Sequence, residues 1–142
     1  MTELPKNCGI RMTLPSDWID QTVYAYKGPD EGGVQHNLVV MIDSELETKD
    51  LQLYAKQRMQ ALQDTLQGFE LLAERDRTLG SGLAAREAIF KWIPSEGKVI
   101  FQKQVYIIAG DRAYNFTASF SKQTLKTIGN DVDAMIDSFI PG

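Results

Sequence analysis

Two segments of this chain are apolar on both alternating faces, and that double apolarity limits the possible folds more than any other feature. Residues 37–43 read N-L-V-V-M-I-D, and residues 99–108 read V-I-F-Q-K-Q-V-Y-I-I. A strand with one wet face alternates apolar and polar residues. Here Leu38, Val40 and Ile42 line one face while Val39 and Met41 line the other. In the second segment Phe101, Val105 and Ile107 take one face, and Gln102, Gln104, Tyr106 and Ile108 the opposite one. One face belongs to the core. The other needs a cover of its own, and in a chain of 142 residues a second molecule is a candidate for it.

That length fits a single domain, residues 1–142, with a core that needs no disulfide. Hydrophobic residues make up 43% and charged residues 24%, so a globular domain is expected rather than a disordered chain. A net charge of −4 and the lack of any basic run argue against nucleic acid as a partner. Cys8 is the only cysteine, which excludes an intramolecular disulfide and disfavours a cysteine metal site. The opening M-T-E-L-P-K-N lacks the apolar core of a secretory signal, and no segment approaches a membrane span. The expectation is a cytoplasmic protein that does not insert into membranes, with a trimmed exported protein as the alternative.

Residues 10–14 alternate as a short strand, after which Pro15-Ser16-Asp17 turns the chain and Trp18 is expected to anchor packing. Gln21–Tyr26 reads as a second strand from its β-branched and aromatic content. The run Gly28–Gly33 is the strongest loop signal and leads into the two-faced strand at 36–43. Leu51, Ala55, Met59, Leu62 and Leu66 recur at helical spacing, with Thr48 or Asp50 as cap and Gly68 as stop. The glutamines of that helix, among them Gln57, fall on a solvated face. Four further strands are expected at 69–79, 84–93, 98–108 and 112–120, with tight turns at Pro94–Gly97 and Gly110-Asp111. A final helix carries Leu125, Ile128, Val132, Met135, Ile136 and Phe139, and Asn130 is its expected cap. The fold class is therefore α+β: one twisted antiparallel sheet of about six to seven strands with two helices packed on one face.

Chemistry-bearing patterns are scarce. His36 is the sole histidine, and no local signature marks a serine as its nucleophile, so it reads as a loop histidine with a local hydrogen bond. One histidine and one cysteine, 28 positions apart, make no zinc set, and no phosphate-binding glycine loop is present. No catalytic residue, metal or cofactor is assigned. The alternating charges of Glu70, Glu74, Arg75, Asp76 and Arg77 read as a guarded sheet edge. Gln102 and Gln104 are more informative, because amides on an apolar strand face are costly to bury unpaired. They face either open water or a partner with polar groups of its own, such as a transmembrane-type helix.

Several segments together resemble the DcrB-like family, and within it the Eag chaperones of bacterial type VI secretion. They are L-P-S-D-W-I-D-Q-T-V-Y-A-Y (14–26), N-L-V-V-M-I-D (37–43), L-Q-G-F-E-L (66–71), F-K-W with a glycine at 97 (90–97), K-Q-V-Y-I (103–107) and G-D-R-A-Y-N-F-T (110–117). The resemblance implies a Mog/PsbP-like fold and a non-enzymatic, cytoplasmic, homodimeric chaperone or adaptor. Such a protein holds apolar, transmembrane-type helices of an effector on its open sheet face. Carried over by position, that face comprises Val23, Ala25, Val39, Leu66, Gln104 and Tyr106, and strand alternation adds Met41. Arg58 stands where the chaperones carry a helix glutamine, and beneath an apolar client it requires a carboxylate or carbonyl partner. Two other readings stay open: a PsbP/DcrB-like ligand-binding or assembly accessory domain of the cell envelope, and an enzyme resting on His36.

Overall fold

The sheet solves the covering problem by alternation. Val105 pairs with Phe116, Phe116 with Val40 and Val40 with Tyr24, one row across four strands. The neighbouring row, Tyr106–Asn115–Met41–Val23, points the other way. The computed structural model describes residues 2–3, 12–31 and 33–142. Among these, the elements run β1 (Thr2–Glu3), β2 (Thr13–Leu14), β3 (Val23–Glu31), β4 (Val34–Asp43), α1 (Leu51–Thr65), β5 (Glu70–Thr78), β6 (Ala84–Ser95), β7 (Lys98–Ala109), β8 (Arg112–Phe120) and α2 (Ile128–Asp137). β1 and β2 pair only with each other, and the main sheet has the order β3-β4-β8-β7-β6-β5. Each neighbouring pair in it is antiparallel. The expected α+β class is what the chain forms, and its main antiparallel sheet has six strands where about six to seven are expected from the sequence.

The helices do not share a face. Val105, Ile107, Phe116 and Phe120 form one cluster with Ile128, Val132 and Ile136 of α2. Ala88, Phe90, Tyr106 and Ala113 form a second cluster with Tyr54, Ala55 and Met59 of α1. Val105 and Tyr106 are consecutive on β7, so the clusters lie on opposite sides of the sheet. The expectation of two helices on one face is corrected. Both faces of the central strands are apolar, so each helix finds a row to bury, and the chain supplies much of the second cover itself.

Local chemistry explains the element ends. Asp50 caps α1, its carboxylate accepting from the backbone N–H groups of Gln52 and Leu53 at 3.0 and 3.2 Å. Past the end of α1, Gly68 has φ +68°, and a Cβ there would lie 2.8 Å from Ile93 Cδ1, so glycine is required on two counts. α2 begins earlier than expected: Thr127 takes the cap position without a capping bond, its hydroxyl donating instead to the Thr124 carbonyl at 3.3 Å, and Asn130 lies inside the helix, where its amide donates to the Lys126 carbonyl at 2.8 Å. The Gly28–Gly33 run is mostly strand, because β3 continues to Glu31 through a bulge between Lys27 and Asp30. The short strand expected over 10–14 is seen at Thr13–Leu14, while residues 10 and 11 lie outside the described residues. Trp18 is 66% exposed and anchors no packing.

His36 is buried on β4, not in a loop. Its Nδ1 donates to the Pro29 carbonyl at 2.8 Å, which leaves Nε2 to accept from the Thr124 hydroxyl at 2.6 Å. This bond pins the β3–β4 hairpin to the segment before α2.

Beneath α2 the sheet also buries charge. Glu87 accepts from Arg75 and, at 2.9 Å, from Arg77. Lys103 donates to the Asp133 carboxylate of α2 at 2.6 Å, and Arg77 donates to the Asp133 carbonyl at 3.0 Å. Each of these buried ions has an opposite partner, which is the condition for tolerating it. The guarded edge is thus double-sided: β5 is an edge strand whose arginines serve the α2 face while Glu74 and Asp76 pair with Arg86 on the other.

Candidate functional site

α1 covers the sheet face over β6 and β7 and leaves the β3–β4 side of that face open. The register assembles six of the sequence-assigned residues there in two adjacent rows. Tyr106–Asn115–Met41–Val23 is one, and Gln104–Thr117–Val39–Ala25 is the other. Val23 is 50% and Met41 43% exposed, Ala25 is exposed, and Val39 is half-buried. Leu66, at the C-terminal cap of α1, packs half-buried against the second cluster. Tyr106 is the exception: it lies beneath α1, its hydroxyl donating to Met59 Sδ at 3.3 Å and its ring edge-on to Tyr54. It forms the floor of the site, not its contact surface.

Gln104 gives the strip its polar point. Its amide oxygen accepts from the Thr117 hydroxyl at 3.0 Å, and among the described residues its amide nitrogen has no protein acceptor. The residue as a whole is only 6% exposed. Gln102 is fully engaged by contrast, accepting from Trp92 Nε1 at 3.1 Å and donating to Ser119 Oγ at 3.0 Å. Sequence reasoning missed Thr117, Ser119 and Asn115 as members of this face. Their signal was present in the alternation of Asn115, Thr117 and Ser119 opposite Tyr114, Phe116 and Ala118.

Arg58 has the carboxylate that its position requires. Its Nη2 lies 3.4 Å from Asp43 Oδ2, its Nε donates to the Tyr54 hydroxyl at 3.3 Å, and its guanidinium stands 5.4 Å from the centre of the Tyr54 ring. The Tyr54 hydroxyl donates to Asp43 at 3.1 Å and accepts from the Asn115 amide at 2.9 Å. Burial raises the Tyr54 phenol above its ordinary value, against the opposing pull of the Asn115 and Arg58 bonds. Burial works against the Arg58 cation, but the Tyr54 bond and Asp43 hold it above its ordinary value. This network anchors the start of α1 to β4 and β8 and sets a polar border to the apolar strip. Among the described residues no group of three or more histidine, cysteine, aspartate or glutamate side chains is placed to hold a metal. The arrangement offers apolar contact beside one amide nitrogen that is open to solvent, which is equipment for binding.

Solved structures with the same fold include a Pseudomonas aeruginosa protein of unknown function, PA94, at 20% identity and a TM-score of 0.83, covering 100% of this chain and 97% of that one. Cyanobacterial PsbP (CyanoP) from Synechocystis sp. PCC 6803 matches at 14% identity and a TM-score of 0.59, over 92% of this chain and 98% of that one. LpqN of Mycobacterium tuberculosis, described as involved in cell envelope biogenesis, matches at 16% identity and 0.55, over 77% and 64%. These likenesses establish a PsbP-like fold. A comparison with curated proteins gives no match. The family model for DcrB matches residues 11–138, nearly the whole described chain, and the chain belongs to the DcrB family.

Proposed function

We propose that the chain is a non-enzymatic chaperone or adaptor that binds an apolar, transmembrane-type helix of a type VI secretion effector on the open part of its α1 face. The observation that supports this most is the Gln104 amide at the β7 end of the apolar strip of Ala25, Val39 and Met41: the residue is 6% exposed, its oxygen is bonded to Thr117, and its nitrogen, without an acceptor among the described residues, is open to solvent and so to a partner. A client helix laid on that strip exchanges lipid contacts for strand side chains, and Gln104 satisfies a carbonyl or hydroxyl of the client. Apolar burial of roughly 25 cal/mol per Å² drives the association. Asp43 neutralises Arg58, so the arginine borders the site without presenting an uncompensated charge to the client. The same reading takes the protein as a cytoplasmic homodimer.

Titrating the full chain with a soluble peptide that carries an effector's N-terminal apolar segment tests this. A rise in melting temperature that Met41→Asp abolishes, with a dimeric mass in light scattering, is the expected result. A monomer that the peptide does not stabilise overturns the reading. The second reading, an accessory domain of the cell envelope, draws on the description of LpqN and on a hollow in the other face. It predicts a monomer that binds a small ligand and no apolar helix.

A further inference from the structure

On the side of the sheet away from the client strip, a cavity of about 660 Å³ lies between the end of α2 and strands β3, β4 and β8. It exists because α2 stops at Asp137 and packs on β8, leaving the same face of β3 and β4 without a helix. Tyr26, Leu38, Val40, Phe116, Met135 and Phe139 are among the residues of its wall. A volume in the range of roughly 300–1,000 Å³ with apolar walls and few polar groups is what a small-molecule site requires.

Among the described residues one cation lines this cavity. Arg112, the first residue of β8, belongs both to it and to an adjoining hollow of about 40 Å³ lined by Asp20, Thr22 and Ser44. Among the described residues no carboxylate comes within ion-pairing distance of Arg112. Asp20, the acid nearest in the lining, is occupied by the backbone N–H of Thr22 at 2.9 Å and by the Thr22 hydroxyl. The other arginines among the described residues (Arg58 on α1, Arg75, Arg77 and Arg86 on the sheet) are each matched to a carboxylate. An apolar trough with an unmatched guanidinium on its rim has the complementarity of an apolar chain ending in an anion.

We infer that this cavity binds a single-chain amphiphile with an anionic head, a long-chain carboxylate being the simplest case. Its chain lies along Leu38, Val40 and Phe116, and its head meets Arg112. The site is on the opposite face from the client strip and does not depend on that function.

Calorimetric titration of the full chain with decanoate, dodecanoate and dodecanol below their micellar concentrations is the test. Each added methylene is expected to tighten binding about fourfold. Arg112→Ala is expected to weaken dodecanoate about fivefold and leave dodecanol unchanged. Met135→Trp fills the cavity from an exposed helix position and is expected to abolish both, with circular dichroism showing both variants folded. Met41→Asp, on the client strip, leaves dodecanoate uptake intact, so failure of either site is read separately. No uptake of dodecanoate, or uptake that neither Arg112→Ala nor Met135→Trp changes, overturns the proposal. So does binding to phosphatidylglycerol vesicles without uptake of dodecanoate, which makes the surface a membrane contact.

Discussion

Under α2 the sheet is closed by long aliphatic and aromatic side chains around a buried ion cluster. Under α1 it is closed only over β6 and β7 and then opens into a strip of small and medium side chains. The part of its face that α2 covers holds Val105, Ile107 and Phe120 at 0–1% exposure, and the charges there are matched to one another: Arg77 and Lys103 to Glu87 and Asp133. The α1 face keeps Val23 and Met41 open and leaves one amide of a nearly buried glutamine without an acceptor. A region closed for stability leaves no polar group open to a partner, because one that is buried and unpaired costs about 1–3 kcal/mol. A face that accepts a partner can leave one for the partner to complete. The helix-covered and the uncovered parts of one sheet thus separate a structural use of apolar strands from a recognition use.

Glu87→Gln tests that contrast most severely. It keeps the shape of the side chain but leaves Arg75, Arg77 and Lys103 with only Asp133 and, 3.9 Å from Arg77, Asp137 as counter-charges, with two of those cations almost fully buried. Breaking a buried ion cluster in this way is expected to cost about 3–5 kcal/mol in denaturant unfolding. A loss below about 1 kcal/mol would show that the cluster is hydrated and that the α2 face is not sealed.

A pair of truncations sharpens the comparison at the next level. Ile107→Ala, on the closed face, is expected to destabilise by about 2–5 kcal/mol through lost burial and a residual cavity. Met41→Ala, on the open strip, is expected to stay within about 0.5 kcal/mol. Equal losses in urea titration would mean that the strip is core in solution, covered by something the chain itself supplies.

The sequence already carried the strands, because period-two patterns at 37–43 and 99–108 state which residues share a face whatever covers them. It also carried α1, whose apolar spacing, Asp50 cap and Gly68 stop are local signals. The placement of the helices was not legible. A two-faced strand shows that both sides need cover without telling which helix goes where, since that depends on β4 and β8 being neighbours. His36 was misjudged for the same reason: its decisive partner, Thr124, is 88 residues away. The rows of the candidate site were legible as alternation on each strand, and only the register across β3, β4, β8 and β7 joined them. Burial of Tyr106 under Met59 and pairing of Arg58 with Asp43 are tertiary facts that no spacing contains.

A small effect at neutral pH, and a larger one in alkali, concern the covered half of the α1 face. Tyr106 is 2% exposed, and burial pushes its phenol well above the ordinary value of 10.0. The unfolded chain ionises this phenol near its ordinary value while the folded chain holds it neutral. The stability that burial of the neutral ring contributes is therefore whole below about pH 10 and drains away as the pH rises above it. Tyr106→Phe removes only a weak hydroxyl–sulfur contact with Met59, so at pH 7 it is expected to cost about 1 kcal/mol or less. Between about pH 10 and 12 the variant is expected to lose stability with a shallower slope than the parent, by the share of the titration that Tyr106 carries. Urea unfolding followed across that range gives the two slopes directly. Parallel slopes would place the Tyr106 hydroxyl in contact with water, and the floor of the candidate site would then be open where the packing of Met59 has it closed.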